Sequence, residues 1–231
     1  MKTFRHIITS VTLMLFIISF SVTFTLNFRP LYYFDIGYLN IEGLSGLDAD
    51  EIRENYDALI DYNAITGPDT LTFPTLDMSE SGRIHFEEVK RIFITLEYMM
   101  LITALMSVIL IIISIKKYKD CFFLKLTAIL TIVIPVILGL LISLNWSKAF
   151  VVFHHIFFNN DYWIFSPETD PVINILPDTF FLHCAAMILI LVIIGSMICG
   201  MIYTLQKKNP DVRPELLDAY PDFKIFPFSI P

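Results

Sequence analysis

Glycine and cysteine are scarce in this chain, with eight and three among 231 residues, and charged side chains make up only 17%. No Gly-rich phosphate loop, G-x-S-x-G elbow, H-E-x-x-H helix or C-x-x-C pair occurs, so the common motif-bearing hydrolase, nucleotide and dithiol readings drop out. Cys121, Cys184 and Cys199 lie in or beside apolar runs. None stands in the soluble part of an outer loop, so no disulfide framework is expected. Apolar surroundings also raise a thiol's pKa, which argues against Cys184 as a nucleophile. The excess of acid, a net charge of −7, argues against a nucleic-acid partner. Internal repeats, low-complexity tracts and the paired broken helices of many secondary transporters are also lacking.

What the chain has is hydrocarbon. Apolar residues make up 55%, and the mean hydropathy is +0.66. Four runs, near 7–26, 92–115, 122–144 and 179–205, each approach the ~20 residues a helix needs to cross a bilayer. They do not alternate as barrel strands would. An all-α polytopic membrane protein with four transmembrane helices is expected over residues 1–205. The first run has a basic start but no small-residue cleavage site, so it reads as an uncleaved signal anchor. Lys2 and Arg5, then Lys116, Lys117, Lys119 and Lys125, then Lys207 and Lys208 mark one side as cytoplasmic. The loop 27–91 holds thirteen acidic against five basic residues, and the loop 145–178 four against one. Both are therefore expected outside, the first mostly helical and the second with a short interfacial segment. Residues 206–231 read as a weakly structured cytoplasmic tail.

That topology sorts the five histidines. His6 sits at the inner mouth of the first helix, whereas His85, His154, His155 and His183 all fall on the outer side. Ser79–Gly82 read as a turn, and the helical pattern begins near Arg83. His85 thus lies near the positive end of a helix dipole, which favours neutral imidazole. Glu88, three residues on, is placed to orient the ring. The run "VVFHHIFF" (151–158) sets His154 and His155 in an aromatic stretch that is too short to span a bilayer. It reads as a helix or re-entrant piece in the outer interface, with Tyr162 and Trp163 as headgroup-level anchors. Neighbouring residues on a helix point about 100° apart, so only one of the two histidines can share a site with His85. Arg83 suits either a ligand or Glu87. Glu97 sits in the outer half of the second span, either bonded within the bundle or functional. The stretch 54–63 has the rhythm of a scaffold helix.

Four segments together resemble a known family. "SGRIHFEEVKRIF", "FHHIFFNNDYWIF", "DPVINILPDTFF" and "NYDALIDY" are similar to the bacterial lipoprotein intramolecular transacylases, over 1 to about 205. The resemblance implies an acyltransferase that acts on diacylglyceryl-modified lipoproteins in the membrane. It would move the sn-2 acyl chain to the α-amine of the modified cysteine and leave a lyso-form lipoprotein. It also implies one essential histidine in each outer motif, here His85 and His154, with His155 the other choice of register. Arg83, Glu88 and Trp163 are candidate supporting residues. Two imidazoles that titrate near neutrality suit the chemistry, in which an amine loses a proton and a glyceryl oxygen gains one. The favoured assignment is His85 as general base on the amine and His154 as acid or oxyanion donor; the reverse stays open, as does an acyl-imidazole relay. No cofactor or metal is required, and a monomer is expected. Two rivals remain: a zinc hydrolase using His85, His154 or His155 with Asp161, and a non-enzymatic, protonation-sensitive membrane partner.

Overall fold

The computed structural model describes residues 2–208. Residue 1 and the segment 209–231, which holds most of the expected tail, lie outside the described residues. Among the described residues every regular element is helical. Four helices are long and apolar enough to cross a membrane: α1 (Lys2–Asn27), α5 (Glu80–Ile112), α6 (Phe122–Leu144) and α9 (Asp178–Lys208). A π-helical turn, Ile113–Lys117, continues α5 towards the tight link to α6.

Helix α1 is the centre of the bundle and packs on α5, α6 and α9, while α6 also runs along α9. Its buried positions are rich in small hydroxyl residues: Thr9, Ser10, Thr12, Ser19, Ser21 and Thr25. In hydrocarbon, helix association draws on close approach and on hydrogen bonds rather than on the hydrophobic effect. Ser10 Oγ donates to the Phe123 carbonyl at 2.9 Å, and Ser196 Oγ to the Ala128 carbonyl at 2.7 Å. Gly195 lets α9 close on α1, since a Cβ there would lie 2.7 Å from Ile17 Cγ2. At the far end of the bundle, Asp120 ties the α5–α6 link to the start of α1, with Lys2 Nζ at 3.2 Å, Arg5 Nη2 at 3.4 Å and His6 Nε2 at 3.2 Å.

Two connections build a cap on the opposite end. The first carries α2 (Arg29–Tyr38), α3 (Ile41–Ser45) and α4 (Ala49–Tyr62), and the second α7 (Trp146–Phe157) and α8 (Val172–Ile175). Asp48 caps α4, accepting from the amides of Asp50 at 3.0 Å and Glu51 at 2.9 Å. The apolar face of α4 then delivers Ile52, Tyr56, Leu59 and Ile60 to a core shared with α2, α8 and the start of α9. Tyr32 and Tyr56 stack at 3.7 Å between ring centroids, with Phe180 edge-on to Tyr32 at 5.0 Å. Each such pair adds ~0.5–1.5 kcal/mol beyond area burial. Tyr32 Oη donates to the Ile175 carbonyl at 2.6 Å, joining the two connections. His183 Nδ1 meets the fully buried Asp35 at 2.8 Å, tying α9 to α2. Glu97 accepts from the Ile65 amide at 2.9 Å, so its role in the bundle is to fix the chain that follows α4.

Helix α5 begins earlier than its sequence pattern suggests. Ser79 is its N-cap, with Oγ accepting from the Gly82 amide at 3.0 Å, so the apparent turn 79–82 is the first helical turn. The capping signal was masked by Gly82, a poor helix former. Its presence has a local reason. The carboxylate of Asp170, from the α7–α9 connection, presses on this turn and accepts from the Ser79 amide at 2.8 Å. A Cβ on residue 82 would sit 2.3 Å from Asp170 Oδ1. At 33 residues, α5 is about 50 Å long, well over the ~30 Å of hydrocarbon, so its first turns stand clear of the bundle within the cap.

Gly82→Ala should therefore force Asp170 off the α5 terminus. A loss of ~1–3 kcal/mol is expected for such overpacking, read as a lower melting temperature in detergent. An unchanged melt would mean that this contact yields freely.

Candidate active site

Gly82 and, three and four residues on, His85 and Phe86 form the buried face of the first turns of α5. Glu80, Arg83, Glu87 and Lys90 occupy the remaining surface. His85 is 6% exposed. Phe150 and His154, one turn apart on α7, and Phe158 at its C-cap line one side, whereas Val152, Phe153, Ile156 and Phe157 are exposed on the other. Asn145 starts α7 straight after α6, its side chain accepting from the Lys148 amide at 2.9 Å.

These two faces meet. The rings of His85 and His154 lie 6.1 Å apart between centroids, with no hydrogen bond between them, and share one niche. Aromatic side chains enclose it: Phe158 and Phe165 lie 4.7 and 5.5 Å from His85, and Phe150 and Trp163 lie 4.3 and 4.5 Å from His154. His154 Nδ1 is 2.8 Å from the Phe150 carbonyl. A carbonyl only accepts, so Nδ1 carries the proton and Nε2 of the neutral ring presents a lone pair. His85 Nδ1 is buried without a partner.

His155 is exposed and meets Trp163 edge to face at 5.7 Å; it does not join His85. Arg83 binds Glu80 and Glu87 along its own helix rather than facing the imidazoles. Glu88 does not orient His85. Its carboxylate accepts from Asn160 Nδ2 at 2.9 and 3.2 Å instead. A three-residue step puts Glu88 on a face next to that of His85, and the loop brings a better donor to it. Asn160 and Asp170 were missed in the sequence because their partners lie 72 and 91 residues away. Trp163 packs on His154 and Tyr162 remains exposed. Among the described residues no three histidine, cysteine or carboxylate side chains converge as metal ligands would.

Charge follows from this enclosure. Both histidines lie outside the apolar spans, His85 on the charged stretch that precedes Ile92 and His154 on α7. Burial pushes His85 down to about 4, with the nearby His154 adding to the effect. Burial also lowers His154; the Phe150 carbonyl opposes the shift, and His155 reinforces it. Desolvation, more than the helix terminus, thus keeps both rings neutral near pH 7.

The comparisons agree with one another. The family model for the lipoprotein intramolecular transacylase Lit matches residues 7–181. The chain is 40% identical to the membrane-integral lipoprotein intramolecular transacylase Lit from Bacillus cereus. That in meso structure superposes with a TM-score of 0.87 over 91% of this chain and 97% of that one. Two further structures of the B. cereus protein, carrying H85R and H85A in its own numbering, give a TM-score of 0.82 over 91% of this chain at 40% identity. They are covered over 93% and 95% of their length. No curated protein matches the chain.

The two lowered histidine pKa values have a defined sign. Unfolded imidazole titrates near ~6.5, so both rings should stay neutral above that pH. Stability from keeping them neutral should be complete there and be lost as pH falls towards their folded values. Nitrogen-15 histidine NMR in detergent micelles should show neither His85 nor His154 taking a proton above pH 6.5. A ring that titrates above 7 would contradict the burial argument.

Proposed function

Because the chain belongs to the lipoprotein intramolecular transacylase family, we propose that His85 and His154 are the groups that carry out its acyl transfer. The protein is a multi-pass membrane acyltransferase. Its substrate in this reading is a lipoprotein whose amino-terminal cysteine bears a diacylglyceryl thioether. The sn-2 acyl chain passes to the free α-amine, giving an N-acyl, S-monoacylglyceryl product.

The single observation that carries this reading is the pairing of two buried imidazoles across 6.1 Å in an aromatic niche. The fixed Nδ1–H of His154 favours its Nε2 as base. As the amine nitrogen adds to the ester carbonyl, His154 takes one amine proton. The tetrahedral centre then collapses, the bond to the glyceryl oxygen breaks, and the His154 imidazolium returns the proton to that oxygen. His85, the less basic ring, stays neutral and accepts a hydrogen bond from the amine, orienting its lone pair. The transfer is an isomerisation, so no cofactor or second substrate enters. Donor and acceptor share one molecule, so folding the substrate across the niche supplies proximity. Both histidines come from one chain, and a monomer suffices.

Charge supports a site on the outer face with both ends of the described chain cytoplasmic. Lys2, Arg5, Lys116, Lys117, Lys207 and Lys208 gather at one end of the bundle and the acidic cap lies at the other. The exposed apolar face of α7 suits an interfacial helix at the outer leaflet, level with the ester of a membrane-anchored substrate.

Mass spectrometry of lipoprotein amino-terminal peptides tests this reading directly. His85→Ala and His154→Ala should each slow conversion to the lyso-form by ~10²–10⁴-fold, while His155→Ala should retain most activity. Full conversion by either of the first two would remove the acid–base assignment. Loss of activity on strong chelation would instead favour the zinc reading.

A further inference from the structure

Two neutral imidazoles handle protons, but the reaction also builds negative charge on the ester carbonyl oxygen. Preorganised donors at such an oxygen commonly contribute more than any other single effect. One side chain in the niche is suited to this alone. Trp163 stacks on His154, with centroids 4.5 Å apart and planes inclined by 27°. Its Nε1 is buried and has no hydrogen-bond partner. The near-parallel stack points the N–H alongside the imidazole rather than into it, so the histidine cannot satisfy this donor. Buried indole N–H groups usually find an acceptor. An indole donates and never accepts, so whatever completes this group must be an acceptor.

We propose that the Trp163 indole N–H is the oxyanion donor, hydrogen-bonding the carbonyl oxygen as the amine adds and releasing it as the glyceryl C–O bond breaks. The role rests on the reading of His85 and His154 as the acid–base pair. It separates the site's polar groups by capability: ring lone pairs serve the amine, and the donor-only indole serves the developing alkoxide. Trp163 is also well held. Its loop is pinned on one side by the bond from Asn160 to Glu88 and on the other by Asp170 at the α5 cap. His155 closes its outer edge, which gives the second histidine of the pair a place beside the site.

The test replaces the donor and keeps the ring. Trp163→Phe preserves an aromatic face against His154 and removes the N–H. With purified protein and a diacylglyceryl lipopeptide, kcat should fall by ~10²–10³-fold, while KM changes by less than about threefold, as expected for a contact made in the transition state. Benzothienylalanine at position 163, which exchanges N–H for sulfur in the same bicyclic outline, should show the same loss with an unaltered melting temperature. Trp146→Phe is the control. It removes a second buried indole N–H, two turns before His154, and should leave kcat unchanged. If the benzothienyl enzyme keeps parental kcat while His85→Ala and His154→Ala are inactive, the donor role is overturned and the acid–base pair stands. If the histidine variants are themselves active, the acid–base reading has failed.

Discussion

The docking of the 158–170 segment on the first turns of α5 is the constraint on which the site depends. Two carboxylates hold it. Asp170 accepts from the Ser79 amide at the helix start, and Glu88 accepts from Asn160 two turns later. Neither contact touches the imidazoles. Without them, however, His85 and His154 would belong to separate elements with no reason to share a niche. Charge-assisted hydrogen bonds are well suited to this task, because they specify register as well as adding stability. The glycine beneath Asp170 is the local concession that allows the approach.

Burial of the imidazoles follows from that docking and sets their chemistry. Phe86, Phe158, Phe165 and Trp163 pack around the imidazoles, and desolvation lowers both histidines. Neutral rings in a dry niche interact strongly with whatever charge develops between them. In the proposed reading the aromatic walls and the imidazole pair together form the site where an acyl group moves between two atoms of a lipid-anchored molecule.

The bundle beneath supplies rigidity by different means. Hydroxyl groups of α1 and α9 bond across to α6 backbone carbonyls, and Gly195 lets α9 close on Ile17. The cap, by contrast, is assembled as in a soluble protein, around the stacked tyrosines Tyr32 and Tyr56 and a run of buried isoleucines. Helix α5 belongs to both parts. Its length carries the order of the bundle up to His85.

Hydropathy alone determined the four apolar helices, because a bilayer imposes one length and one composition on whatever crosses it. Local periodicity was also enough to mark α4 as scaffold and to show that His154 and His155 diverge, since both are properties of a single helix. The resemblance carried by short motifs then pointed to His85 and His154 before any geometry was known. Tertiary structure decided the rest. It turned His154 inward and His155 outward, gave Glu88 to Asn160 rather than to His85, and moved the start of α5 back to Ser79. Each of these depends on a partner brought from 72 or 91 residues away, or on which helix face is covered. No local pattern encodes such a choice, because the competing local pairings, such as Glu88 with His85, are equally sound until the chain folds.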